Sequence, residues 1–423
     1  MNYEEINMGS YNLHIINTNK FKTITVEVNF RRKLVEEEIV LRNLLKAVLL
    51  STNNNFKSEL ELIRETENLY DLKLVSSNTR IGNYSTLSFN VRFLNEKYTE
   101  SDMNEYSINF LMDILFKPHV DSGCFDANIV DKNKRKLEKS IMKIKDNKLK
   151  YTLFKLLETT DDKPYSYNSY GSIEKLEKIN AKNLYEYYLS VLKDDIVDIF
   201  VVGYVDSTKI KKIIKNNFKV DTFKKEKSDI LVEELLPVKK IKKIIEEDSA
   251  NQSQLTLLCS LNGLTEFERK YVLLVYNEML GGSSNSLLFD NVREKNSYAY
   301  YINSNCKAYD NIMMIYSGIG VGNSDNVLKL IKRTLEDVKR GRFNECLLDN
   351  SKETIIAGIK ASLDSPNGII NTYYARVLVN SHSPRERIEH ISKVTKEDII
   401  NLSRKVSINT VYLLEGTEND EEN

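Results

Sequence analysis

Apolar residues along the chain fall into two recurring spacings. Short runs in which they are continuous or alternate predict strands; longer stretches in which they return every three or four residues predict helices. In the first half, residues 58–77 read as a helix followed by the strand YDLKLVSS. TLSFNVRFL (86–94) reads as a second strand and 101–116 as a long amphipathic helix. Further on, Ile173-Glu-Lys-Leu-Glu-Lys-Ile179 opens a helical stretch that runs through Leu184 to the apolar run IVDIFVVG, closed by Gly203. The second half repeats this order. A helix and the strand YAYYINSN fill 286–305, IMMIYSGIG follows at 312–320, and an amphipathic helix at 324–340. Arg387-Ile-Glu-His-Ile-Ser-Lys-Val394 then leads through Ile399 to TVYLLEG, closed by Gly416. The earlier pairs of matching segments lie about 226 to 228 residues apart, which points to an internal duplication. The expected fold is α+β, with two homologous domains, each a mostly antiparallel β-sheet with helices packed on one face.

The boundary between the two halves is marked by charge. FKKEKSDILVEELLPVKKIKKIIEED, residues 223–248, packs charge runs around Pro237 and reads as a linker with strand-forming ends. The expected division is therefore 1–222, linker 223–248, and 249–423.

Composition narrows the function. The chain has 423 residues with 61 basic and 61 acidic side chains, so its formal net charge is zero. A general nucleic-acid binder usually carries a basic surplus, and none exists here. The start, MNYEEINMGSYNLHIINTNKFKT, lacks a basic segment followed by an apolar core, and no apolar run approaches the ~18 residues of a membrane span. Cys124, Cys259, Cys306 and Cys346 are far apart and form no C-x-x-C pair, which suits isolated thiols in a reducing cytoplasm.

The residues with the most chemical content lie between Met279 and Tyr300: MLGGSSNSLLFDNVREKNSYAY. A Gly-Gly turn, a small-residue loop, a helix ending in VREK and a Tyr-rich strand follow one another. This order and spacing resemble the C-terminal domain of the pitrilysin/insulinase family of zinc metallopeptidases, which includes the mitochondrial processing peptidase. Phe110-Leu-Met-Asp-Ile-Leu-Phe-Lys-Pro118 is similar to that family's helix-then-proline element, and Tyr170-Gly171 through Gly203 to its G-x-x-E-x-I helix and following strand. The resemblance covers nearly the whole chain and implies the fold named above, of the LuxS/mitochondrial-processing-peptidase metallohydrolase type.

The family's metal motif is missing. Active members carry H-x-x-E-H on a helix of the N-terminal domain: two imidazoles one turn apart bind zinc, and the glutamate activates water. Aligning the turn after that motif with Ser51-Thr-Asn-Asn-Asn-Phe56 places it on Arg42-Asn-Leu-Leu-Lys46. Arg42 and Lys46 stand where the histidines would be and Leu45 where the base would be, and the third-ligand position falls near Asp131. Cationic side chains repel a metal, so no zinc is expected in this chain; the resemblance implies zinc only in a partner subunit. A cation in the vacated volume needs a counter-charge, so Lys46 or Arg42 is expected to pair with Asp131. Elsewhere, the chain has only His14, His119, His382 and His390. Glu386-Arg-Ile-Glu-His390 has two potential ligands one turn apart, but the duplication aligns it with the IEKLEKI turn, so helix-surface charge is the favoured reading over zinc.

Two residues of the family's C-terminal domain remain. The resemblance assigns Arg293 and Tyr300 to a pair that contacts the substrate backbone near the scissile carbonyl, where a guanidinium and a phenol are suitable donors. A helix-capping arginine and a half-buried strand tyrosine account for the same two residues without function. Gly281-Gly282-Ser-Ser-Asn-Ser286 occupies the place of a substrate-sorting glycine-rich loop in the mitochondrial enzyme, or simply forms a helix C-cap followed by an N-cap serine. The expected function is a catalytically inactive, cytoplasmic bacterial subunit that forms a heterodimer with a zinc-bearing homologue and binds peptide. The resemblance also implies an association with the 5-aminopentanol modification of elongation factor P. The alternative is a peptide-binding or structural scaffold with no peptidase partner.

Overall fold

The structure is a computed structural model that describes residues 1–160, 163–218 and 230–417. The chain forms two compact units, each built on one main sheet. In the first, strands β1 (Asn2–Asn7), β2 (Asn12–Asn17), β3 (Thr23–Lys33), β4 (Lys73–Ile81), β5 (Tyr84–Leu94) and β8 (Ile196–Gly203) lie in the order β1-β2-β8-β3-β5-β4. A small ribbon, β6 (Val120–Asp121) and β7 (Cys124–Phe125), stands apart. In the second, β9 (Lys242–Glu247), β10 (Ser253–Leu261), β11 (Ala299–Lys307), β12 (Ile312–Ile319) and β13 (Val406–Glu415) lie in the order β11-β12-β10-β13-β9. Among the described residues, only β2 with β8 and β9 with β13 run parallel.

The two orders are the same once β9 is set against β2, β13 against β8, β10 against β3, β12 against β5, and β11 against β4. The duplication read from the sequence is therefore a duplication of topology, with β1 added at one edge. Predicted and observed elements agree within a few residues: the amphipathic helices are Met103–Phe116 and Ser324–Lys339, and IVDIFVVG is β8.

The units do not follow the linear division at 222 and 249. The first gains Leu363–Tyr374, and the second gains Lys143–Tyr167. The reason is that each sheet has two faces to cover. Leu255, Leu257, Cys259 and Leu261 of β10 point into the main helical layer of the second unit. Leu258 faces the other way, with Ile312, Met314, Tyr412 and Leu414, and these are covered by Leu156, Leu157 and Tyr165 from the first half of the sequence. In the first unit, Tyr373 and Tyr374 do the corresponding work: Tyr373 packs on Tyr3 with ring centroids 4.4 Å apart, and the Tyr374 hydroxyl lies 3.0 Å from that of Thr86. The main helical layer covers one face of each sheet, and a segment from the other half of the chain covers part of the second face. Each buried leucine in such a layer contributes on the order of 1.5–3 kcal/mol. Part of the predicted linker, 242–247, is β9, an edge strand of the second sheet; residues 223–229 lie outside the described residues.

Candidate functional site

Helix Glu36–Leu49 carries Arg42, Leu45 and Lys46, the residues that the sequence comparison set against the family's metal motif. Three glutamates in its first turn and Lys46 in its last suit the helix dipole, and Ile39, Val40, Leu44, Leu45, Val48 and Leu49 give it a buried face. The loop before helix Ile173–Glu177 lies directly on it. Gly171 has φ +82°, and a Cβ there would sit 2.7 Å from that of Val40. Asn43 adds a bond, donating to the Ser169 carbonyl at 2.8 Å. This close approach is the physical content of the Gly171 match noted in the sequence.

Arg42 is 1% exposed and Leu45 fully buried. The Arg42 guanidinium does not reach toward Asp131. Both its terminal nitrogens donate to Asp195 Oδ2 at 3.0 Å, and one also donates to the Phe30 carbonyl at 2.7 Å. Arg32 donates to the other Asp195 oxygen and to Glu38 at 3.1 Å, and the Tyr187 hydroxyl donates to Glu38 at 2.9 Å. Burial opposes the charge on Arg42, yet Asp195 and Tyr187 hold its pKa above the ordinary arginine value. Burial likewise pushes the Asp195 carboxyl upward, and the two guanidiniums oppose that push. The expected pairing with Asp131 is therefore corrected: Asp195, which ends helix Ala181–Asp194 and precedes β8, is the counter-charge. Geometry decides this, because Arg42 points under the sheet while Asp131 is exposed on helix Ala127–Met142. Asp131 lines a cavity of about 420 Å³ with Lys134, Arg135, Glu138, Ile173, Leu176 and Glu177. Lys46 is partly buried and its ammonium makes no hydrogen bond or ion pair among the described residues; burial lowers its pKa.

These residues do not fit zinc. None of Arg42, Leu45 and Lys46 offers a metal an electron pair under ordinary conditions. Among the described residues, no group of three or more His, Cys, Asp or Glu side chains could hold a metal ion. Glu386 and His390 are occupied otherwise: the Glu386 carboxylate accepts from the Ser383 amide at 2.9 Å and hydroxyl at 2.6 Å, and His390 stacks on Tyr271 at 4.6 Å. His14 and Asp198 form a fully buried pair at 3.3 Å, with Arg31 at 3.5 Å and the Tyr3 hydroxyl on the other ring nitrogen at 2.9 Å. No serine or cysteine nucleophile joins them in these contacts.

In the second unit the Gly-Gly turn ends the helical stretch 268–282. A Cβ on Gly281 would lie 2.8 Å from the Ser304 backbone nitrogen, so glycine lets this helix end rest on β11. The expected N-cap role of a loop serine is not seen in Ser286, whose hydroxyl is buried without a partner. Arg293 stands near the end of the following helical turns, its side chain 46% exposed, with its guanidinium over the Phe289 ring at 4.7 Å and a loose 3.8 Å approach to Glu294. Tyr300 is 64% exposed and is the extra residue of a β-bulge in β11. Neither is committed to a strong internal partner.

Residues 178–355 match the model of a family described as peptidase M16 inactive domain. Over 417 residues the chain is 30% identical to the probable inactive metalloprotease YmfF of Bacillus subtilis (strain 168), spanning 97% of each. The chain belongs to the peptidase M16 family. A second relative from the same bacterium, the uncharacterized zinc protease YmxG, is 27% identical over 308 residues, 71% of this chain and 72% of that protein. Among solved structures, a conserved protein from Enterococcus faecalis V583 shares 26% identity with a TM-score of 0.91, covering 99% of this chain and 100% of that one. The peptidase M16 inactive domain from Pseudomonas fluorescens has a TM-score of 0.79 at 15% identity, covering 99% and 98%, and shares the M16 fold.

Asp195, Arg32, Tyr187 and Glu38 are the residues that sequence reading missed. Their one legible signal is an acidic residue set directly before the apolar run of β8.

Proposed function

We propose that this chain is the non-catalytic subunit of a two-chain M16 peptidase, lending Arg293 and Tyr300 to a zinc-bearing homologue that supplies the metal and the general base. The observation that carries the reading is a contrast. At the positions the sequence sets against the family's zinc motif, Arg42 is locked into a buried ion pair and Leu45 into the core, while Arg293 and Tyr300 stay exposed. Likeness to a probable inactive metalloprotease supports the first half of that contrast, and a YmxG-like zinc protease is the kind of partner implied. A guanidinium and a phenol free of strong internal bonds can donate to a peptide carbonyl and to the oxyanion formed from it. The link to 5-aminopentanol modification of elongation factor P rests on family likeness alone and enters as part of the proposal.

Co-expression with an H-x-x-E-H homologue, followed by peptide-cleavage assays, tests it. Activity is expected only in the mixture, with zinc bound stoichiometrically to the partner. Arg293→Ala should abolish most turnover while the pair still co-purifies. Unchanged turnover in that variant refutes the role of Arg293, and a mixture that never cleaves peptide favours a scaffold.

A further inference from the structure

The bulge in β11 has a lock beside it. Ala299 faces Ile319 and Tyr301 faces Gly318, so Tyr300 has no residue opposite it on β12. A bulge re-aims the side chains next to it, but by itself it leaves the extra residue free to swing. Here the residue after the bulge is held at two points. The Tyr301 ring lies against Gly318, where any Cβ would collide with it and approach Cζ to 3.0 Å. Its hydroxyl reaches across β12 and donates to Gln254 Oε1 on β10. Gln254 is itself 4% exposed, and its amide donates to Gln252 Oε1 at 3.3 Å. Tyr301 thus spans three strands, bound at both ends, while its neighbour Tyr300 is exposed. Burial pushes the Tyr301 phenol up to about 12, so it stays a donor across the working pH range.

We infer that Tyr301, locked over Gly318 and onto Gln254, is a positioning residue that fixes the bulge and thereby the direction in which the Tyr300 phenol is presented. Tyr301 acts only through its neighbour, and the inference rests on the reading that Tyr300 meets substrate. The chemistry is one of pre-organisation: a donor held in place before the oxyanion forms loses less entropy on meeting it than one that must be found.

A double-mutant cycle in the reconstituted two-chain enzyme tests this, with co-purification of the two chains checked for every variant. Tyr301→Phe keeps the ring and loses the bond to Gln254; Gln254→Met removes the acceptor and serves where Tyr301→Phe does not assemble. Either should lower kcat about five-fold with KM nearly unchanged, the scale of one hydrogen bond. In a Tyr300→Phe background the same change should cost less than two-fold, because the group being aimed is gone. Equal losses in both backgrounds overturn the inference, since a general loosening of the sheet would act regardless of Tyr300. No loss from Tyr301→Phe and Gln254→Met, while Tyr300→Phe lowers kcat, overturns it and leaves the role of Tyr300 standing. No loss from Tyr300→Phe removes the role of Tyr300 and the inference with it.

Discussion

Arg42 meets Asp195 Oδ2 through two nitrogens at 3.0 Å, with both side chains essentially out of solvent. A bidentate guanidinium–carboxylate contact is among the stronger polar interactions, but its worth in a core depends on both partners being present.

Removing one partner should therefore cost far more than replacing both. Arg42→Ala is expected to destabilise the chain by about 3–5 kcal/mol, because it leaves Asp195 buried with only Arg32 to answer it. Arg42→Met with Asp195→Leu should cost much less than the sum of the single changes. Denaturant unfolding of the four proteins of the cycle checks this, and additive losses would show that the pair is not coupled.

Rewriting the motif should fail to restore a metal site. In Arg42→His/Leu45→Glu/Lys46→His, a carboxylate enters a fully buried position and Asp195 loses Arg42. The expected result is a lower unfolding midpoint and no stoichiometric zinc by metal analysis of the purified chain. Zinc at one equivalent with unchanged stability would contradict the packing described for this helix.

Acid should weaken the first unit through Asp198. Burial would raise this carboxyl, but the His14 hydrogen bond, the Arg31 charge and Asn12 hold it below its ordinary 3.8. A depressed carboxylate contributes stability above its unfolded value, and loses it as pH falls from near 3.8 through the native value. Asp198→Asn should be less stable at pH 7, by about 1–3 kcal/mol for the lost charged hydrogen bonds. Its stability should also change less than that of the parent below pH 4, as chemical denaturation at a series of pH values would reveal.

Cutting the chain between its halves should leave neither half folded alone. Residues 249–423 without 143–167 expose Leu258, Ile312, Met314, Tyr412 and Leu414, which Leu156, Leu157 and Tyr165 otherwise cover. Expressed singly, fragments 1–222 and 249–423 are expected to bind a hydrophobic dye and to lack a cooperative thermal transition. Expressed together they should recover one. A cooperative transition in either fragment alone would show that the exchanged helix is dispensable.

Much of this was readable in the linear order of residues. The 3.6- and 2-residue periods gave β5, β8, β12 and the long helices, because a half-buried helix or strand must repeat its apolar residues at its own pitch. The repeat of those patterns gave the duplication, and the residues at 42, 45 and 46 gave, on their chemistry, the expectation that no zinc is held there. What the chain order could not carry was the pairing of distant partners. The sequence named Asp131 alone as the counter-charge for Arg42 or Lys46, and only the inward direction of that helix face chose Asp195 for Arg42. The helix at 148–158 was not singled out in the sequence, and its burial against β10 and β13 depends on a sheet made by residues about 100 to 250 positions later. Tyr300 and Tyr301 read alike as strand tyrosines, and a one-residue bulge made one free and the other fixed. Local periodicity is set by each segment's own covalent geometry; counter-charges, covered faces and bulges are set by which segments meet, and that is decided by the sum of burial over the whole unit.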